Sequence, residues 1–277
     1  MAHEASKRST QPSKRRSVSY SVVRKPPDIV IVAHRGSSGR APENTLAAFR
    51  CAVHDGADMI ELDVRMSREG ELIVLHDRTV NRTTNGRGTV WHMTVDELKR
   101  LDAGSWFSPR FAGERIPLLH EVVHILPPTM SLNIEVKTDG RPKSSPHLEE
   151  RLVRFLHDTG LTTRVLVSSF EHSFLKRVHS LDARIPLGVL YVPIRAIGRK
   201  PSTLAWRVGA SVFICSSAQL RKRFAADAHA HKLLLGCYGV NNRRQVEKAL
   251  RFGVHALITD HPREIRTHVE QFVAQRA

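Results

Sequence analysis

Two histidines, three carboxylates and two cations fall inside, or at the ends of, the apolar runs of this chain. His34 and Arg35 follow Asp28–Ala33; Glu61 and Asp63 lie within Met59–Met66; His76 ends Glu71–His76; Glu135 and Lys137 lie within Leu132–Lys137. Burying an unpaired charge is expensive, so such a concentration marks a site rather than a plain core. Glu61 and Asp63 are two residues apart, as are Glu135 and Lys137, and on a strand each pair shares a face. Hard carboxylate oxygens suit Ca²⁺ or Mg²⁺, whereas zinc draws more His or Cys. The same carboxylates could instead pair with buried Arg or Lys. His34 and His76 could be metal ligands, core histidines or an acid/base pair; their place at strand ends beside carboxylates suits proton transfer near neutral pH. Arg35 and Lys137 supply fixed positive charge of the kind that holds a phosphate. A divalent cation, two histidines and two cations around an anion is the arrangement expected for phosphodiester hydrolysis.

The elements that must hold these side chains can be read from the pattern. Only Ser67-Arg68-Glu69-Gly70 separates the second and third runs, too little for a crossover helix, so they form an antiparallel hairpin. Pairing Met66 with Glu71 sets Glu61 opposite His76, and a slip of one residue would turn His76 away. Asp28–Ala33 is a continuous apolar run, the pattern of a buried parallel strand, with His34 and Arg35 at the end that carries the chemistry in barrel enzymes. A helix is expected over Thr45–Asp55, capped by Asn44 or Thr45 and stopped by Gly56. Arg78–Gly113 is a long polar connection with one helix at Thr94–Leu101, and connections of this length are usually functional. The helix Leu118–Leu126 leads to the Leu132–Lys137 strand. Strands at Arg164–Ser168, Pro186–Leu190, Ser211–Cys215, Leu233–Cys237 and Ala256–Thr259 then alternate with helices at Leu148–Asp158, Glu171–Ser180, Ser217–His231 and Arg243–Phe252. That alternation implies a parallel sheet of βα units. The count is nine strand-like stretches, one more than an eight-stranded barrel needs, and the hairpin accounts for the surplus without saying which stretch is extra. The rival, an open doubly wound sheet, is disfavoured because no GxGxxG follows the first strand.

The chain has 277 residues, enough for a core in one domain, as in barrels of about 250 residues, or in two small ones, and its 41% hydrophobic content is ordinary for a globular protein and argues against global disorder. Lys and Arg number 43 against 27 Asp and Glu, a formal charge of +16 that favours anionic partners: nucleic acid, an acidic membrane surface or a phosphate substrate. Residues 1–27 are rich in Ser, Lys and Arg and read as a disordered basic tail, either simply solvated or a peripheral contact with an anionic membrane. Cys51, Cys215 and Cys237 form no CxxC pair and read as buried reduced thiols, which fits a cytoplasmic protein. No run of 18 apolar residues exists and the N-terminus lacks a signal-peptide core, so neither a membrane span nor secretion is expected.

Several spaced segments, taken together and in order, resemble the glycerophosphodiester phosphodiesterase family. They are His34-Arg35-Gly36-Ser37-Ser38-Gly39 with Ala41-Pro42-Glu43-Asn44-Thr45, Gly56-Ala57-Asp58 with Ile60-Glu61-Leu62-Asp63-Val64, and Leu75-His76-Asp77. Asn81-Arg82-Thr83-Thr84-Asn85-Gly86, Leu132-Asn133-Ile134-Glu135-Val136-Lys137, Val167-Ser168-Ser169-Phe170 and Ile258-Thr259-Asp260-His261-Pro262 continue the match, so that it spans roughly residues 29–265. The resemblance implies an α/β fold, a (β/α)8 TIM barrel of the phosphodiesterase type over residues 28–277, with a small insertion at about 77–115 after the third strand. It implies one divalent cation, Ca²⁺ or Mg²⁺, on Glu61, Asp63 and Glu135, with His34 and His76 as the general acid/base pair. Arg35 and Lys137 would hold the phosphate, and Glu43 and Asn44 would support the site. The reaction implied is hydrolysis of a small-molecule glycerophosphodiester to sn-glycerol 3-phosphate and an alcohol, in phospholipid and glycerol metabolism. Where such proteins carry Trp-Thr-Val-Asn on a late strand, this chain has Tyr238-Gly239-Val240-Asn241, so Tyr238 stands beside the substrate and the alcohol group is the feature this departure touches. His261 reads as surface. Three rivals are a lysophospholipase D-like activity on lysophospholipids, a basic nucleic-acid-binding protein, which would leave the buried carboxylates without a purpose, and a catalytically dead barrel used for regulation, against which the complete set of His, carboxylate and Lys argues.

Overall fold

The computed structural model describes residues 29–138, 148–194, 196 and 198–276; the tail expected over residues 1–27 lies outside them. Among the described residues nine strands form one sheet: β1 (Val30–Ala33), β2 (Met59–Met66), β3 (Leu72–Val74), β4 (Ser131–Val136), β5 (Val165–Ser169), β6 (Leu187–Leu190), β7 (Val212–Ser216), β8 (Leu234–Tyr238) and β9 (Ala256–Thr259). Eight of them are parallel and close on themselves, since β1 pairs with β9 on one edge and β2 on the other. The surplus strand is β3, antiparallel to β2. The join between β1 and β2 covers only Met59 and Ile60 of β2; past it, β3 takes that edge at Val64–Met66.

Helices pack around the ring: α1 (Leu46–His54), α2 (Val95–Lys99), α3 (Leu119–Ile125), α4 (Leu148–Asp158), α5 (His172–Leu181), α6 (Pro201–Trp206), α7 (Lys222–Ala230), α8 (Arg243–Arg251) and α9 (Pro262–Ala274). Local chemistry sets their ends. Thr45 caps α1 by accepting from Ala48 N, and Asn242 caps α8 by accepting from Gln245 N. In α4, Leu148, Leu152 and Leu156 recur at helical spacing and are buried, with charge on the other face. The sequence pattern did not reveal α6 or α9. Only Pro262 and Ile265 of α9 are buried, so its apolar periodicity is thin. The helix expected from Ser217 starts instead at Lys222, because Ser216 and Gln219 bond each other's backbone and side chain in a turn.

Alternation along the strands splits the apolar residues between two cores. One fills the space between ring and helices; the other lies in the bore and includes Val30, Val32, Met59, Leu166, Val212, Ile214 and Ile258. On β2 the bore-facing series runs Met59, Glu61, Asp63. Its β4 partners at the last two are Asn133 and Glu135, and Glu135 in turn pairs with Ser168 on β5. The bore therefore changes from apolar to carboxylate towards the C-terminal ends of the strands.

The hairpin register is one residue away from the expected one: Met66 pairs with Leu72 and Val64 with Val74. Ser67 N donates to Glu71 O at 2.9 Å, so Ser67 belongs to the ladder and the turn is tightened to three residues, with Gly70 at φ +89°. Continued, that register would turn His76 away from the carboxylates. It runs one bond past the end of β3 at Val74, Leu75 N donating to Asp63 O at 3.1 Å, and stops short of His76, the expected end of the strand. The buried Arg65 guanidinium then catches the His76 carbonyl, donating from Nε at 2.9 Å and Nη2 at 2.7 Å. The insertion that follows has a small core of its own, including Ile73, Leu75, Val80, Val90, Leu98 and Ile116. All three cysteines are free; Cys215 and Cys237 are buried, but Cys51 is only half-buried, against Asp55. Among the described residues no helix is long and apolar enough to cross a membrane.

Candidate active site

Glu61, Asp63 and Glu135 each bring an oxygen within 4.8 Å of the others, and all three residues are buried. Glu61 Oε2 accepts the Arg35 backbone N–H at 2.8 Å, while Glu61 Oε1 is buried with no hydrogen-bond partner. Asp63 Oδ2 accepts from Asn44 Nδ2 at 2.8 Å and lies 3.1 Å from Arg35 Nε; its Oδ1 lies 3.1 Å from Lys137 Nζ. Lys137 also bonds Glu135. Burial, with the neighbouring Asp63 charge, pushes the Glu61 carboxyl up to about 8. Burial acts on Asp63 too, but Lys137 and Arg35 outweigh it and hold that carboxyl well below the usual range. Oxygens within about 2.6 Å of one Ca²⁺ can be at most about 5 Å apart. Three carboxylates within that span, one of them with an orphaned oxygen, fit a single divalent cation.

The two histidines come from opposite sides of the β1–β2 join. His34 follows β1 and its Nδ1 lies 2.7 Å from Asp260 Oδ1. Asp260 follows β9; it also accepts from Ser38 Oγ at 3.0 Å and Asn241 Nδ2 at 2.6 Å. His76 Nδ1 lies 2.6 Å from Asp77 Oδ1. A carboxylate on Nδ1 makes that nitrogen the donor, so each neutral ring keeps Nε2 as its accepting nitrogen. Both line one cavity of about 170 Å³ together with Arg35, Glu61, Asn133, Glu135, Lys137, Phe170 and Tyr238. Their environments push them apart. Burial pulls His34 down, but the Asp260 hydrogen bond and the Glu61 charge prevail and raise it above the ordinary imidazole value. Burial lowers His76, and Lys137 and Arg35 reinforce this against Asp63.

The backbone after β1 is shaped to deliver the cation. Arg35 and Asn44 adopt φ +54° and +58°, and Gly36 adopts φ +83°. A Cβ on Gly36 would lie 2.6 Å from the Ala48 carbonyl carbon, so glycine is required there on both counts. Arg35 Nη1 donates to Glu43 Oε1 at 2.7 Å. Tyr238, at the end of β8, meets Phe170 edge-on with centroids 6.5 Å apart, and Lys137 Nζ stands 5.5 Å from the Phe170 centroid.

The model of the Glycerophosphoryl diester phosphodiesterase family matches residues 34–264. This chain belongs to that family. A glycerophosphodiester phosphodiesterase of Caldanaerobacter subterraneus subsp. tengcongensis is 36% identical over 234 residues, covering 84% of this chain and 94% of the relative. The crystal structure of a glycerophosphodiester phosphodiesterase from Agrobacterium tumefaciens str. C58 superposes with a TM-score of 0.74 at 30% identity, covering 85% of this chain and 98% of that one. An Oleispira antarctica phosphodiesterase, solved in complex with the product sn-glycerol-3-phosphate, gives 0.77 at 28% identity over 87% of this chain and 96% of that one.

All ten positions singled out in the sequence, Tyr238 among them as the departure from the family's Trp, take part in this constellation: His34, Arg35, Glu61, His76, Glu135, Lys137 and Tyr238 line the cavity, and Glu43, Asn44 and Asp63 bond to them or to one another. Asp77, Asp260, Asn241 and Phe170 are legible in the sequence only as members of matching segments, without a role; the first three brace the histidines, and Arg65 is not singled out there at all. Asp260 carried a signal, since it follows β9 as His34 follows β1. His261 is not a plain surface residue: its ring is half-buried where a Cβ on Gly39 would stand.

Proposed function

We propose that this chain hydrolyses glycerophosphodiesters to sn-glycerol 3-phosphate and an alcohol, with His34 and His76 as its acid/base pair and one divalent cation, Ca²⁺ or Mg²⁺, on Glu61, Asp63 and Glu135. The observation that carries the reading is the convergence of two Asp-braced imidazoles, two cations and three carboxylates on one cavity. The product held by the Oleispira antarctica relative is the one proposed here. Bound at the carboxylates, the cation would supply positive charge to the phosphoryl oxygens. Arg35 and Lys137, each pinned by a carboxylate, hold the phosphate from the protein side and offset the charge that grows on it. One histidine Nε2 takes the proton of the nucleophile, water or the glycerol 2-hydroxyl, as its oxygen bonds to phosphorus, and the other protonates the alcohol as its P–O bond breaks; attack by the 2-hydroxyl leaves a cyclic phosphate that water then opens to sn-glycerol 3-phosphate. A wider groove of about 630 Å³ adjoins the cavity at His76, Lys137 and Phe170 and gives the alcohol room to leave. Tyr238 packs against the glycerol moiety. The cytoplasmic location belongs to the same proposal and rests on the free thiols.

The test is release of glycerol 3-phosphate from glycerophosphocholine and glycerophosphoethanolamine with Ca²⁺ or Mg²⁺, then with EDTA. Metal-dependent release is expected, and alanine at His34 or His76 should abolish it in a folded protein. Release that survives EDTA refutes the role of the cation; near-wild-type rates in either variant refute the role of that histidine.

A further inference from the structure

Asn81-Arg82-Thr83-Thr84-Asn85-Gly86 has no part in the chemistry above, yet it is held firmly. Thr84 Oγ1 donates to Val80 O at 2.7 Å and accepts from Gly86 N at 3.0 Å. Asn85 Oδ1 accepts from Asp102 N at 2.8 Å. The stretch presents Arg82, a side chain still 44% exposed. Its guanidinium forks onto two carboxylates. Nη1 and Nη2 donate to Glu43 Oε2 and Oε1, both at 2.8 Å. Nε and Nη2 donate to Asp77 Oδ2 and Oδ1 at 2.7 and 3.0 Å. Each carboxylate carries a second partner that lines the cavity: Glu43 Oε1 holds Arg35 Nη1, and Asp77 Oδ1 holds His76 Nδ1.

We propose that Arg82 is a positioning residue: through Glu43 and Asp77 it sets the Arg35 guanidinium and the His76 ring together, which makes the insertion a working part of the site. This rests on reading Arg35 as a phosphate-binding residue and His76 as one of the acid/base pair. Only a planar fork can meet two carboxylates at once; a lysine offers a single point charge. Two magnitudes distinguish positioning from simple stabilisation. Glu43 keeps Arg35 and Asp77 keeps His76 when Arg82 is lost, so the fold gives up only part of this forked network, whereas a reacting group displaced by about 1 Å costs about 100-fold in rate.

The experiment compares the wild type with R82Q, R82K and R82A by kcat and KM on a glycerophosphodiester, by melting temperature, and by the ¹⁵N-histidine spectrum, in which the protonated nitrogen of His76 is assigned by its loss in H76N. R82Q is expected to stay folded with a modest fall in melting temperature, to lose about 10- to 100-fold in kcat, and, with Asp77 no longer held from its far side, to show the His76 Nδ1–H proton moved upfield and exchanging faster with water. R82K should recover little of the rate, and millimolar guanidinium should raise the rate of R82A but not that of the wild type. A wild-type rate in R82Q overturns the proposal, as does a rate loss that leaves the His76 Nδ1–H proton signal unmoved and guanidinium without effect. If the wild type itself releases no glycerol 3-phosphate, the hydrolase reading fails, and the His76 Nδ1–H proton signal in R82Q still decides whether Arg82 sets that ring.

Discussion

Replacing Asp260 by asparagine exchanges a carboxylate that accepts from His34 for an amide that can donate to it. The imidazole Nδ1, 2.7 Å from Asp260 Oδ1, would then become the acceptor, and the proton would move to Nε2, the nitrogen that faces the cavity in the proposed chemistry. One member of the acid/base pair is lost in its working tautomer, a contribution worth about 10²- to 10⁴-fold. At 1.36 kcal/mol per factor of ten that is about 3–5 kcal/mol of barrier. The stability cost is smaller. Weakening the charge-assisted bonds from His34 and Asn241 costs about 1–3 kcal/mol, and at about 2–4 °C per kcal/mol for a chain of this size the protein stays folded under assay conditions. The pH profile moves too, and its sign is fixed. The Asp260 hydrogen bond and charge raise His34 against the larger, opposing effect of burial, so removing them lets burial prevail and shifts the His34 limb to lower pH. Initial rates across the neutral range, fitted for kcat and KM, read both effects. An Asp260→Asn enzyme with wild-type kcat and unmoved limbs refutes the reasoning.

In metal-free protein, Glu61, with its carboxyl raised to about 8, binds a proton that the unfolded chain releases above about 4.5. Its contribution is therefore complete below the unfolded value and is lost as pH rises through about 8, so the melting temperature in EDTA should fall over that window and Glu61→Gln should flatten the fall; a slope that Gln leaves unchanged counts against the assignment. Gly36→Ala combines a left-handed φ, worth about 1–2 kcal/mol, with a backbone collision at Ala48, and is expected to cost at least about 2–4 kcal/mol in denaturant unfolding and to lower activity by moving Arg35. Tyr238→Ala should raise KM about 2- to 10-fold with little change in kcat, as expected for a lost aromatic contact outside the reacting bonds; a large fall in kcat alone would contradict its place beside the glycerol moiety.

What could be read in the sequence was what repeats or alternates locally. The barrel showed in βα alternation, and β2 showed with the bounds Met59–Met66 because its ends are marked by turn residues. Glu61 with Asp63, and Glu135 with Lys137, declared a shared face through spacing alone. The hairpin register did not, since whether Ser67 belongs to the ladder or to the turn depends on the conformation of Gly70, and one residue of difference moves every cross-strand pair. The braces on the histidines were hidden for another reason. Asp260 lies 226 residues from His34, and Arg82 lies 39 from Glu43; no local pattern reports a contact of that kind.

The pairing of β1 with β9 brings the first and last strands of the barrel side by side, and His34 receives Asp260 across that pairing. With His34 in the acid/base role proposed for it, catalytic competence is a late event in the life of each molecule. A chain emerging from the ribosome carries Glu61, Asp63, His76, Glu135 and Lys137 long before Asp260, and the loop that must close to bring the two ends together is nearly the length of the barrel, the slowest kind of contact for a chain to make. Truncated or half-translated copies would be silent hydrolases, and the appearance of turnover during refolding would serve as a clock for closure of the ring.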